Sequence, residues 1–239
     1  MNKKVKNIFI ILNILLATLI MIMDVFRCFV FGDLIYKNIA LISVCILAII
    51  NFLASLMFFE KNNFIFNLLI FIGVLIGSAG DYLIGINFIV GAALFAVGHI
   101  LYIIALYFIS KFSWKEIIIA ALIIATSMLI VFIPFIEYGD YVIVIIAYAV
   151  ILSLMFAKCL SNFLFNSKTL MLNIFLALAG LLFYLSDLML LLYVFKDANV
   201  IFDKLCLMLY YPAQILFAVS ILISSFNLQN KNNNKTMMT

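Results

Sequence analysis

Two aspartates stand inside apolar runs of this chain, Asp81 in Gly77-Ser78-Ala79-Gly80-Asp81-Tyr82-Leu83 and Asp187 in Phe183-Tyr184-Leu185-Ser186-Asp187-Leu188. A carboxylate in hydrocarbon is costly, so each is a candidate for function. Two carboxyls brought close together in low dielectric cannot both ionise; one keeps its proton beside the other's charge. Such a pair can protonate a substrate atom, stabilise the cation that results and then help to deprotonate an attacking water.

The elements that must position these groups follow from composition. Of the 239 residues 69% are hydrophobic and only 10% charged, and mean hydropathy is +1.36. That excludes a soluble globular domain and predicts an all-α, polytopic integral membrane protein in the cell membrane, because the apolar runs are far longer than the alternating strands of an outer-membrane barrel. The basic start Met1-Asn2-Lys3-Lys4-Val5-Lys6 leads into an apolar run with no small-residue cleavage site, which reads as an uncleaved first span. Cys28, Cys45, Cys159 and Cys206 lie singly in or beside apolar segments and read as small buried hydrophobes. The net charge of +4 is scattered between spans and gives no patch for nucleic acid.

Charges and turn residues divide the sequence into eight spans, about residues 7–29, 38–59, 64–84, 87–110, 115–136, 139–160, 169–195 and 203–226. Residues 1–226 form one transmembrane domain, and the polar stretch 227–239 reads as a disordered tail. With both termini cytoplasmic, ten basic residues (Lys3, Lys4, Lys6, Lys61, Lys111, Lys115, Lys158, Lys168, Lys231, Lys235) lie inside against four outside (Arg27, Lys37, Lys196, Lys204). Spans three and seven then run outward together, and at ~1.5 Å per residue both aspartates come ~27 Å beyond the cytoplasmic end of a ~30 Å core. Asp24 reaches a similar depth, and Tyr211 and Gln214 enter from the outer end of span eight.

The remaining polar residues sort by neighbourhood. His99 and Tyr102, one turn apart on span four, are placed as the floor of a cavity. His99 is the only histidine, so the usual histidine clusters of metallohydrolases are missing and no metal is expected. Gly77-x-x-Gly80 also fits a seam where a neighbouring helix approaches closely. Asp24 and Arg27, at i and i+3, are expected to form an interfacial ion pair, and Asn51, Asn67 and Asn173 to bond between helices. A weak parallel repeat would set Asp81 and His99-x-x-Tyr102 beside Asp187 and Tyr211-x-x-Gln214. No G-x-S-x-G elbow, phosphate loop or H-E-x-x-H occurs.

Taken in order, Gly80-Asp81-Tyr82-Leu83, Phe88-x-x-Gly91-x-x-x-Phe95-x-x-x-His99-x-x-Tyr102, Phe183-x-x-Ser186-Asp187 and Tyr211-x-x-Gln214 resemble the YhhN/TMEM86 family of eight-span membrane proteins, which includes the lysoplasmalogenases. One departure is that relatives tend to open span two with Lys-Pro, whereas Lys37 is followed by Asn38. The resemblance implies cleavage of the vinyl-ether bond of lysoplasmalogens to a fatty aldehyde and a glycerophospho-ethanolamine or -choline, without a cofactor. Asp81 and Asp187 would then be the catalytic acid/base pair, and His99, Tyr102, Tyr211, Gln214 and Ser186 would hold water or the glycerol and phosphate groups. The partners implied are a lysolipid substrate and the bilayer. A different class with the same residues is a proton-coupled transporter or lipid scramblase, whose intramembrane aspartates would carry protons.

Overall fold

A chain this apolar must satisfy its backbone within each segment, and helices do so without a partner strand. The computed structural model describes residues 3–57, 63–132, 136–166, 169–197 and 199–236, with the side chains of 3, 197 and 227–236 left aside. Its eight long helices are α1 (Lys3–Val25), α2 (Leu34–Met57), α3 (Phe64–Ile84), α4 (Phe88–Ile109), α5 (Trp114–Val131), α6 (Val142–Phe165), α7 (Leu170–Leu192) and α8 (Val200–Thr236). All eight are long and apolar enough to cross a membrane. An even number of crossings puts both ends of the bundle sequence at one face, here called the termini end; the opposite face is the site end. Pro134 and residues 237–239, the end of the expected disordered tail, lie outside the described residues.

The connections are made by short polar punctuation. Asn87 caps α4, its side chain accepting from the Val90 amide at 3.2 Å, so α3 reverses into α4 within three residues. α1 and α7 each end at the site end in a π-helical turn, Phe26–Val30 and Tyr193–Asp197.

Packing is closest within the hairpins α3–α4 and α7–α8, the two that the repeat reading sets side by side. α8 touches α1, α2, α3 and α7 and is the central post; α6 joins α4, α5 and α7. Neutral amides fasten the termini half. Asn13 and Asn51 exchange reciprocal bonds of 2.8 Å, Asn51 also donates to the Ala218 carbonyl at 2.9 Å, and Asn67 reaches Ser225 at 3.3 Å. The expected glue role of Asn51 and Asn67 therefore has named partners, while Asn173 donates to the Asn166 carbonyl at 2.6 Å and ties down the start of its own helix.

Two lysines counted above as boundary charges prove to lie within helices. α6 continues past Lys158 to Phe165, and Lys158 is buried, its ammonium 2.9 Å from Glu116 of α5. Its charge is neutralised inside the bundle, so it does not mark the span's end. Likewise α2 begins at Leu34, before Lys37, which turns inward.

Candidate functional site

At the site end, six helices (α2, α3, α4, α6, α7 and α8) deliver polar side chains to one buried layer. Asp81, near the end of α3, is held on both oxygens. Lys37 of α2 lies 2.9 Å from Oδ1 and donates to the Asp81 carbonyl at 3.0 Å, while the Tyr211 hydroxyl of α8 donates to Oδ2 at 3.1 Å. Tyr211 also lies 3.2 Å from the Lys37 carbonyl, closing a three-helix cluster. The Lys37 side chain is 16% exposed and that of Asp81 6%, so the lysine is the less enclosed of the two.

Asp187 has a different set of partners. Tyr148 of α6 donates to its Oδ2 at 2.6 Å, and His99 Nε2 of α4 lies 3.1 Å from that hydroxyl and 3.5 Å from the same carboxylate oxygen. The imidazole is fixed by an edge contact with Phe183, centroids 4.9 Å apart, and its Nδ1 is buried without a partner. Asp187 and Tyr148 together line two small apolar cavities. One, of about 60 Å³, is walled by Ser127 and Val131 of α5, by α6, and by Tyr184 and Leu188 of α7; the other, of about 50 Å³, by Phe88 and Phe95 of α4.

The two carboxylates are therefore not a hydrogen-bonded pair. α3 packs on α2, α4 and α8, and α7 on α6 and α8, so α8 is the helix that packs on both. Tyr210 of α8 is within the electrostatic reach of both carboxylates. Its ring packs edge-on against Phe95 and Phe183, and its hydroxyl donates to the Gly77 carbonyl at 3.0 Å.

Gln214, predicted at the site, braces this arrangement one turn deeper: its amide donates to the Tyr210 hydroxyl at 2.9 Å, and the Tyr102 hydroxyl lies 3.5 Å from its Oε1. Gly77 is what admits the amide, since a Cβ there would stand 2.6 Å from Gln214 Nε2. The glycine seam is thus a seat for a side chain as well as for a helix. Tyr102 is fully buried and stacks on Phe217 at 4.0 Å, which makes it part of the core beneath the site. Ser186, although next to Asp187 in sequence, donates to the Cys206 carbonyl at 3.0 Å and fastens α7 to α8.

The expected ion pair on α1 is replaced by two other contacts. Arg27 reaches Asp203 of α8 at 3.3 Å, and Asp24 turns into the bundle, where Cys28 Sγ is 3.5 Å from its Oδ1. Their i, i+3 spacing allowed a pair, but α8 offers Arg27 an acceptor at the surface. Asp24, fully buried, lies near enough to Asp81 for their charges to interact. Among the described residues no three of His, Cys, Asp and Glu converge as a metal ligand set.

A family model described as YhhN family matches residues 39–221. The chain belongs to the YhhN family. No curated protein and no solved structure matches it. The YhhN match contains Asp81, His99, Tyr102, Asp187, Tyr211 and Gln214, whereas Asp24, Arg27 and Lys37 precede it. Residues that sequence reasoning missed are Lys37, Tyr148 and Tyr210. The signal for Lys37 was its place at the opening of span two, where relatives tend to have Lys-Pro; nothing singled out Tyr148 or Tyr210 from the other tyrosines.

Proposed function

We propose that this YhhN protein is a membrane-embedded hydrolase that cleaves the vinyl-ether bond of lysoplasmalogens, in the membrane of the cell and without a cofactor. The observation that carries the reading is Asp187: a buried carboxyl at the wall of apolar cavities, backed by Tyr148 and His99. A vinyl ether must receive a proton on its β-carbon, and a carboxyl in an apolar slot can meet that carbon directly. Asp187 delivers the proton, giving an oxocarbenium ion whose positive charge faces the carboxylate left behind. Water adds to the α-carbon, its proton returns to Asp187, and the hemiacetal collapses to a fatty aldehyde and a glycerophospho-alcohol. The same group serves as acid and then as base, with Tyr148 and His99 holding its orientation.

Asp81 has a separate duty in this reading. It fixes Lys37 at the mouth of the site, where the ammonium has a remaining donor for a substrate phosphate. The lysolipid lies across the layer, head group at the α1–α2 side, reactive bond past Tyr210 and chain leaving between α5 and α7. α5 supports that exit, because its main packing is on α6 alone.

The test is aldehyde release by purified protein from a vinyl-ether lysolipid and from its ester counterpart. We expect aldehyde from the first only, unchanged by chelator, and a loss of about a hundredfold or more for Asp187→Asn in folded protein. Near-normal turnover by that variant would overturn the assignment of the acid, and absence of aldehyde from the wild type would favour a transport role.

A further inference from the structure

The cluster at the end of α1 contains two buried polar atoms of opposite character that no other group satisfies. Asp24 is fully buried, and while its Oδ1 receives the Cys28 thiol, its Oδ2 has no partner. Three residues on, Arg27 gives one terminal nitrogen to Asp203, while its Nε is buried and equally unpartnered. An unpaired buried acceptor and an unpaired buried donor each cost free energy. They would be expected to bond to each other if they could, since i and i+3 positions lie only about 5–6 Å apart on a helix. They do not, because Arg27 reaches Asp203 of α8 and Asp24 is turned inward, where it takes the Cys28 thiol.

A ligand that satisfied both would carry an anion and an N–H cation a few ångströms apart. We propose that Asp24 and Arg27 form the head-group subsite of the layer and select a zwitterionic phosphoethanolamine group, Arg27 Nε with Lys37 taking the phosphate and Asp24 Oδ2 taking the ammonium. This rests on the lysolipid reading above and adds which head group the site is built for. The ethanolamine ammonium offers three N–H donors to Asp24, whereas the choline nitrogen is fully methylated and offers none. Choline would leave Asp24 Oδ2 unsatisfied, and a site built to bond an N–H group discriminates strongly against an analogue that lacks it.

The placement is consistent with the rest of the layer. Asp24 and Asp81 both act on Tyr211, so the subsite adjoins the Lys37 cluster. Among the described residues α1 packs chiefly on α2 and α8, and it ends in a π-helical turn, a wider turn of the kind often found at functional sites.

Binding of ester-linked lysophosphatidylethanolamine and lysophosphatidylcholine to the purified full chain, measured by calorimetry in detergent, separates this inference from the hydrolase reading, because neither ligand yields aldehyde by vinyl-ether cleavage. The wild type is expected to hold the ethanolamine lipid about tenfold tighter or more. Asp24→Asn is expected to level the two affinities, and Arg27→Gln to weaken both alike, since phosphate is common to them. Equal affinities in the wild type overturn the proposal without any variant. A preference that survives Asp24→Asn in protein of wild-type melting temperature overturns it too, as does an Arg27→Gln variant that binds both lipids normally. Aldehyde release without head-group preference sinks the subsite alone, and preference without aldehyde release sinks the hydrolase reading alone.

Discussion

The bundle holds two clusters each built from a lysine, a carboxylate and a tyrosine, at opposite faces of the membrane span. At the site end Lys37, Asp81 and Tyr211 meet; at the termini end Lys158, Glu116 and Tyr107 meet, and both lysines stand 2.9 Å from their carboxylates. The second cluster closes on itself. The Lys158 ammonium lies 3.9 Å over the Tyr107 ring, that tyrosine's hydroxyl donates to Glu116, and the Lys158 side chain is only 1% exposed. Ser110 and Asn162 bond to each other beside it, completing a staple of α4, α5 and α6. The first cluster is less enclosed: the Lys37 side chain is 16% exposed, and its ammonium has one hydrogen beyond those turned to Asp81. Identical chemistry thus becomes a fastening or a site according to whether its cation has been fully used.

The contrast can be broken most sharply at the closed cluster. Removing one partner of a buried ion pair strands the other, so Lys158→Met should lower stability by about 3–5 kcal/mol, whereas the double variant Lys158→Met with Glu116→Leu should recover most of it. Denaturation in detergent reads both, and turnover per folded molecule should not change. If the single variant instead lost turnover at unchanged stability, the staple would have to be counted as part of the site.

At the open cluster the balance should reverse. If Lys37 binds phosphate as proposed, Lys37→Gln removes a charge-assisted contact of about 1.5–3 kcal/mol, so KM for the lysolipid should rise about tenfold or more, while stability should fall less than in Lys158→Met, because Lys37 is the more exposed lysine and Tyr211 still donates to the Asp81 left behind. A variant with normal KM and a large loss of stability would make Lys37 a second staple.

The smallest effect is expected where the buried polar contact is neutral. The reciprocal amide pair of Asn13 and Asn51 has the same helix-joining duty as the staple without charge, and such contacts in membranes average about 0.6 kcal/mol. Asn13→Leu should therefore shift the denaturation midpoint only slightly. A loss as large as that of Lys158→Met would mean that burial, and not charge, sets the scale for all of these contacts.

These clusters also mark how far the sequence could be read. Eight spans and the buried layer around Asp81, Asp187, Tyr211 and Gln214 were legible, because hydropathy fixes which residues enter the bilayer and helical rise fixes their depth. The partners were not. A hydropathy reading treats a lysine as a boundary, and so opened span two just after Lys37 and closed span six two residues past Lys158, whereas α2 begins at Leu34 and α6 runs on to Phe165. Rotation about each helix axis decides whether Asp24 faces Arg27 or the bundle, and that is set by what α8 presents. Equal depth likewise said nothing of what each aspartate would bond: Asp81 takes Lys37 and Tyr211, and Asp187 takes Tyr148 beside His99.

The central position of α8 bears on how the molecule is made. It is the most enclosed of the eight spans, with 67% of its central window buried against 17% for α1, yet it is the last to leave the ribosome. Until it arrives, Asp81 lacks Tyr211, Asn51 lacks the Ala218 carbonyl and Arg27 lacks Asp203. These three bonds therefore form only once the last of the eight spans has entered the bilayer, so the final helix completes the assembly. Any substitution that makes α8 a poorer insert should show first as rapid turnover of newly made chains by quality control, before any defect in the finished protein.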